Sequence, residues 1–242
     1  MNDAPHFMKN TRNCWVNQLS KQKNLSFPDF DLSKNIVHQA SFKLIQDHYE
    51  NEKLLNIKTG CSLTYATVYP TSLQRQRVNL ALNIFNENLV AALRKIPGSD
   101  GTCEFILIFG KFWKIFNINS VKKYIHKNDM VLRPFSSLNN QRFNFLLKFV
   151  SWVECWQSLP GKIGKLTDET SHALIFSCQS LISLIKYMIS ELNFQFVLTY
   201  KFQTDYLERQ FSKYRQSNGG SYNITLSQVY SAEKKTKSSK YI

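Results

Sequence analysis

At 242 residues, 43% hydrophobic and 14% aromatic, the chain has enough apolar side chain to bury a core, which excludes wholesale disorder. Its formal net charge of +14, from 31 Lys+Arg against 17 Asp+Glu, suits a polyanionic partner or a solvated basic tail, and acid-free 234–240 supplies part of the excess. Apolar runs such as Phe145–Val150 and Ala173–Phe176 fall well short of the roughly 20 residues of a membrane span, and Met1-Asn2-Asp3-Ala4-Pro5-His6 has no signal-peptide pattern, so a soluble chain without a membrane partner is expected.

In chain order, the first expected helix runs over Ser33–Glu52, with Ile36, Ala40, Leu44 and Ile45 in one stripe. A longer one is expected from about Ser72 to Lys95, burying Leu73, Leu80, Ile84, Val90 and Ala91, and Pro97-Gly98 stops it. Thr102 suits an N-cap for a helix that carries Phe105, Ile108, Phe109, Phe112 and Phe116, a stripe that reads as core. The Asn-, Lys- and Ser-rich stretch 117–140 reads as a domain boundary or mobile connection. Gln141–Gln157 is expected to be helical up to Pro160-Gly161, and Thr167-Asp168-Glu169 caps a helix to about Leu192. Phe194–Thr199 has the composition of a short strand. Helices over Thr204–Gln216 and Thr225–Lys235 follow, parted by Asn218-Gly219-Gly220. The fold class is mainly α.

The cysteines, Cys14, Cys61, Cys103, Cys155 and Cys178, are odd in number and far apart, so free thiols are expected rather than disulfides or a zinc site. His6, His38, His48, His126 and His172 show no metal-ligand spacing and no nucleophile partner. The sharpest motif is Asp205 and Glu208: three apart on a helix, both carboxylates leave one face. Such a pair could bind a divalent metal beside a phosphate, but by spacing alone an ordinary acidic first turn is the commoner reading. Lys201, Arg209, Lys213 and Arg215, interleaved with Tyr206, Phe211 and Tyr214, suit contact with a DNA backbone. A solvated basic face over buried Leu207 and Phe211 is the alternative.

From Gly161 to about Lys235 the sequence resembles the closing segment of the P-element-type transposases, whose members often begin with a THAP zinc finger. The resemblance rests on Gly164-Lys165-Leu166-Thr167-Asp168-Glu169-Thr170 and Asn193-Phe194-Gln195-Phe196-Val197-Leu198-Thr199, continued by Lys201-Phe202, Asp205-Tyr206-Leu207-Glu208, Phe211, Arg215-Gln216 and Gly219-Gly220. An earlier stretch is similar to the family's helical, GTP-binding insertion domain. It comprises His6-Phe7-Met8-Lys9, Arg12-Asn13, Leu63-Thr64, Pro70, Gln76-Arg77-Val78, Ala81, Phe85-Asn86 and Val90-Ala91.

The resemblance implies a helical insertion domain over 1–135, the C-terminal part of a split ribonuclease-H-like domain over 136–232, and a basic tail over 233–242. It implies a nuclear, homo-oligomeric cut-and-paste DNA transposase in which three carboxylates hold a Mg²⁺ pair at transposon ends. Glu208 falls on the third of these acids, and the first two are expected upstream of Met1, so the chain is expected to be inactive alone. Asp205 is placed beside the nucleotide. Against GTP stand two departures: Asn51-Glu52-Lys53-Leu54 does not match the family's guanine-reading sequence, and Trp113-Lys114 aligns with an aromatic–acid pair, putting Lys where a magnesium contact is expected. A non-catalytic relic that binds DNA or protein, and a helical adaptor, are the competing readings.

Overall fold

The computed structural model describes residues 3–53, 55, 59, 63–161, 163–220 and 223–238, with the backbone alone at 205, 206, 209 and 235–238. The chain divides into two compact units, 1–201 and 202–242. Among the described residues it is mainly α-helical, as its composition and periodicity lead one to expect.

The first unit opens with α1 (Ala4–Val16), started by Pro5 in the first turn. A hairpin follows: β1 (Asn24–Pro28) pairs antiparallel with β2 (Val37–Ser41), in the register Leu25↔Ala40 and Phe27↔His38. Only from Phe42 does the expected first helix exist, as α2 (Phe42–Lys53). The helical stripe counted over Ser33–Glu52 is thus split. Asn35 takes a left-handed conformation at the end of a 3-10 turn over Leu32–Lys34, and Asp29 N–H donates to Ile36 O at 2.8 Å, closing the hairpin. Tertiary contacts hold the strands in place: Trp15 Nε1 donates to Ala40 O at 3.0 Å, and Trp152 Nε1 to Pro28 O at 2.7 Å.

After α3 (Tyr65–Val68), the single helix expected over 72–95 is two helices, α4 (Val78–Leu82) and α5 (Glu87–Leu93). Asn86 is the cause. It is extended, and its side chain accepts the Leu89 N–H at 2.9 Å, so it caps a new helix instead of continuing the old one. Leu80, Ile84 and Val90 are buried as expected, whereas Leu73 lies outside the helices and is exposed.

Helix α6 (Asp100–Phe116) is the spine of the core. Phe105, Phe109, Phe112 and Phe116 are fully buried, as are Trp152 and Trp156 of α8 (Gln141–Ser158). Phe112 stacks on Phe149 at 4.9 Å, and Trp15 meets Phe105 edge-on at 4.8 Å. Each such side chain contributes about 1.5–3 kcal/mol over its exposed state. Thr102 is inside α6 rather than at its cap. It is buried, and its hydroxyl accepts the Ser41 N–H at 2.9 Å, joining α6 to β2.

The stretch expected to be a loose connection, 117–140, is ordered by Arg142 and contains α7 (Lys123–His126) and a 3-10 turn over Met130–Leu132. The Arg142 guanidinium lies 3.8 Å from the Phe135 ring and donates to the carbonyls of Val131, Arg133 and Pro134. Burial lowers its pKa to about 10.

Helix α8 and α9 (Asp168–Ser190) follow the expected bounds closely, with Asn140 and Thr167 as side-chain caps. Between them Gly164, at φ +81°, lies so close to β1 that a Cβ would meet Ser26 N at 3.0 Å, and its carbonyl accepts the Ser26 N–H at 2.8 Å. By length and composition α9 is apolar enough to cross a membrane, which the short runs in the sequence do not reveal. It lies along α8 and buries Leu174, Cys178, Leu181, Ile182 and Ile185. Cys14, Cys103, Cys155 and Cys178 are free thiols, and Cys61 lies outside the described residues.

No strand forms at Phe194–Thr199. Val197 makes an isolated antiparallel bridge to Phe135, and Thr199, fully buried, turns the chain by donating to Ile115 O at 2.6 Å and accepting the Ile118 N–H at 3.1 Å. The second unit consists of α10 (Asp205–Ser217) and α11 (Leu226–Ser238), both close to their expected limits.

Candidate functional site

In α10 the Glu208 N–H donates to Thr204 O at 2.9 Å, so Glu208 belongs to the helix's first turns as its spacing requires. Its carboxylate is exposed, with Oε1 3.4 Å from Thr204 Oγ1. Asp205 opens the same helix. Elsewhere in this unit Glu233 accepts the Tyr214 hydroxyl at 2.7 Å. A single carboxylate does not by itself organise a pair of metal ions.

The basic set is divided between the units. Lys201 is exposed in the first, while Lys213 (exposed) and Arg215 (half-buried) lie on α10 with Arg209. Of the interleaved aromatics, Tyr214 is buried, accepts from Gln210 Nε2 at 2.8 Å and packs edge-on against Phe211. Its face is therefore not free to stack on a base. Leu207 and Phe211 are 56% and 49% exposed, contrary to the buried stripe of a merely solvated basic helix.

A cleft of roughly 780 Å³ opens in the first unit between α5, α6 and the 123–132 segment. Trp113 and Lys114 line it, beside Asn86, Glu87, Lys111, Lys123, Lys127 and Asp129. Lys114 Nζ lies 2.7 Å from Glu87 Oε1 and 2.7 Å from Asp129 Oδ2. Burial opposes the ammonium, yet the bonds to Asp129 and Glu87 outweigh it and hold the Lys114 pKa above its ordinary value. Asp129 is likewise disfavoured as an anion by burial, and the Lys114 bond with the Val131 N–H brings its pKa below the ordinary value.

The carboxylates that would face a metal here already hold the Lys114 ammonium. The donor set therefore does not fit a magnesium-bound nucleotide, in keeping with the lysine read at this position in the sequence. Glu52, in the fragment compared with the guanine-reading sequence, is buried and accepts the Thr59 N–H at 2.6 Å.

A third arrangement went unseen in the sequence. His38 Nε2 lies 2.9 Å from Asp29 Oδ2 and 3.5 Å from Glu104 Oε2, a grouping in space that the lack of metal-ligand spacing among the histidines does not reveal. Positions 29, 38 and 104 have no motif spacing. They meet only because the hairpin docks on α6.

No protein-family model matches the chain, and no curated protein matches it. Its fold, however, is similar to that of a chain in the Drosophila P element transposase strand transfer complex, with a TM-score of 0.71 over 95% of this chain at 17% identity. In fold, this is a P-element-transposase-like chain. It covers 49% of that larger chain, about half its length. At such low identity the likeness concerns architecture, and the side-chain sites above stand on their own geometry.

Proposed function

We propose that this chain is part of a cut-and-paste DNA transposase, uniting its helical insertion domain (1–135) with the C-terminal segment of its ribonuclease-H-like domain (136–232) and a basic tail (233–242). The observation that carries the reading is the fold likeness over 95% of the chain. The ordered family residues of 161–235 add to it. In this reading the protein works in the nucleus as a homo-oligomer on transposon ends and target DNA. Glu208 is the catalytic residue in hand, one carboxylate of a Mg²⁺ centre that the remaining acids complete, and the metal would supply charge stabilisation at the transferring phosphate. Lys201, Arg209, Lys213 and Arg215 hold the DNA backbone, with exposed Phe211 as the aromatic contact.

The test is a strand-transfer assay on the full-length protein with Mg²⁺, beside DNA binding by fluorescence anisotropy. Glu208→Gln is expected to abolish transfer and leave binding intact. Unchanged transfer would remove Glu208 from the mechanism. Binding should weaken steeply with salt, and Lys213→Ala should lower the slope of log K against log salt by about one. A salt-independent affinity would sink the backbone-contact reading.

A second reading, a non-catalytic DNA- or protein-binding relic, is favoured by one observation: the Lys114 ammonium occupies the Glu87 and Asp129 carboxylates that line the cleft. DNA binding without transfer by the full-length protein would select it.

A further inference from the structure

We propose that Asp29, His38 and Glu104 form a transition-metal site, with zinc the best-fitting ion, that fastens the β1–β2 hairpin to α6. The three potential ligand atoms, Asp29 Oδ2, His38 Nε2 and Glu104 Oε2, all lie within 4.8 Å of one another. In a tetrahedral zinc centre with bonds of about 2.0–2.1 Å, neighbouring ligand atoms are about 3.3 Å apart. The observed 2.9 and 3.5 Å separations bracket that value. One imidazole with two carboxylates is a mixed N/O set, which suits zinc, cobalt or manganese better than the all-oxygen shells of magnesium and calcium. Two anionic carboxylates and a neutral imidazole also balance the charge of a divalent ion.

Each ligand is held from behind by its own element. Asp29 follows β1, its side chain is only 7% exposed, and its Oδ1 accepts the Asp31 N–H at 2.7 Å, which leaves Oδ2 directed at His38. Trp152 fixes the preceding carbonyl, and the Asp29 N–H is bonded across the hairpin to Ile36. His38 lies on β2 with its ring against Phe27, centroids 5.8 Å apart. Glu104 is set opposite by the close docking of α6 on β2. A Cβ at Gly101 would lie 2.4 Å from Gln39 O, and Thr102 takes the Ser41 N–H, so the first turn of α6 sits flush on the strand beside His38. Supporting bonds of this kind orient ligands in metal sites.

The competitor is Lys34, whose ammonium is 3.4 Å from Asp29 Oδ2 on a side chain 53% exposed. More than half exposed, it can swing into solvent when a metal takes Oδ2. Three protein ligands leave the fourth position to water. The bound ion takes the place of the hydrogen bond between His38 Nε2 and Asp29 Oδ2.

The experiment uses the chelator-treated full chain, titrated with Co²⁺ and followed by visible absorption, with thermal melting read in Zn²⁺ and in chelator. The expected result is the absorption of a tetrahedral cobalt centre saturating at one equivalent, its displacement by Zn²⁺, and a higher melting temperature in Zn²⁺. Glu104→Gln, on the helix surface, should weaken binding by at least about tenfold, since losing even an outer-shell partner costs about 10–100-fold. His38→Gln should abolish the cobalt band, and Lys34→Ala should tighten binding by removing the competing cation. Circular dichroism in chelator establishes that each variant is folded. If His38→Gln fails to fold, Glu104→Gln and Lys34→Ala decide the matter by their opposite signs. A folded wild-type chain with neither cobalt band nor melting shift overturns the proposal, as does a band that survives both Glu104→Gln and His38→Gln.

Discussion

Near its N-terminus α6 contributes Glu104, which with Asp29 brackets an imidazole; near its C-terminus it contributes Lys114, an ammonium bracketed by Glu87 and Asp129. The two ends share a carboxylate pair and a nitrogen base, and differ in what that nitrogen can do. A neutral imidazole offers a nitrogen lone pair to a metal. A lysine ammonium raised above its ordinary pKa keeps three protons and offers none. The same acidic framework thus suits a metal at one end and holds an ammonium in two ion pairs at the other. A resemblance that transfers a metal to a cleft is thus only as good as the single residue at its centre.

Breaking the spine should affect both ends at once. Phe109 is fully buried between Phe85, Phe149 and Trp152, and Phe109→Ala is expected to cost about 3–5 kcal/mol, read by urea unfolding. A loss below about 1 kcal/mol would mean that α6 is not the core helix described.

Gly101→Ala should separate the ends. Its Cβ meets backbone of Gln39, which cannot rotate away, so a cost of about 1–3 kcal/mol is expected. Co²⁺ binding should fall with it, whereas the Lys114 clamp should be untouched. Equal damage to both ends would argue against independent sites.

At the other end, Lys114→Ala removes the shared cation and leaves Asp129, 22% exposed at its side chain, without it; a cost of about 1–2 kcal/mol is expected. Lys114→Asp should instead assemble three carboxylates and confer saturable Mg²⁺ binding in calorimetry. Failure to gain any Mg²⁺ affinity would show that the lysine is not what excludes the ion.

The smallest effect is in pH. The Lys114 pKa is raised above 10.5, so its contribution is complete below that value and fades as pH rises through the raised pKa. The Asp129 pKa is lowered below 3.8, so its contribution is present above that value and fades as pH falls through the depressed pKa. The stability difference between wild type and Lys114→Ala should be flat between 3.8 and 10.5 and shrink outside that window, measured by urea midpoints. A difference that changes through neutrality would implicate another group.

Local sequence by itself determined the helices whose ends carry their own chemistry. Asn140 and Thr167 bond backbone amides within three residues, Pro160-Gly161 ends α8, and the Phe105–Phe116 stripe announces a buried face. Such signals need no distant partner. Tertiary structure alone decided the hairpin, which a helical count over 33–52 conceals, because Trp15 and, from far along the chain, Trp152 and Gly164 hold its strands. It likewise reduced Phe194–Thr199 to a single bridge, since Thr199 found its partners at Ile115 and Ile118. Asp205 and Glu208 were legible because helical spacing is a local property. Asp29, His38 and Glu104 were not, because only the docking of a strand on a helix brings residues so distant in sequence within coordination distance.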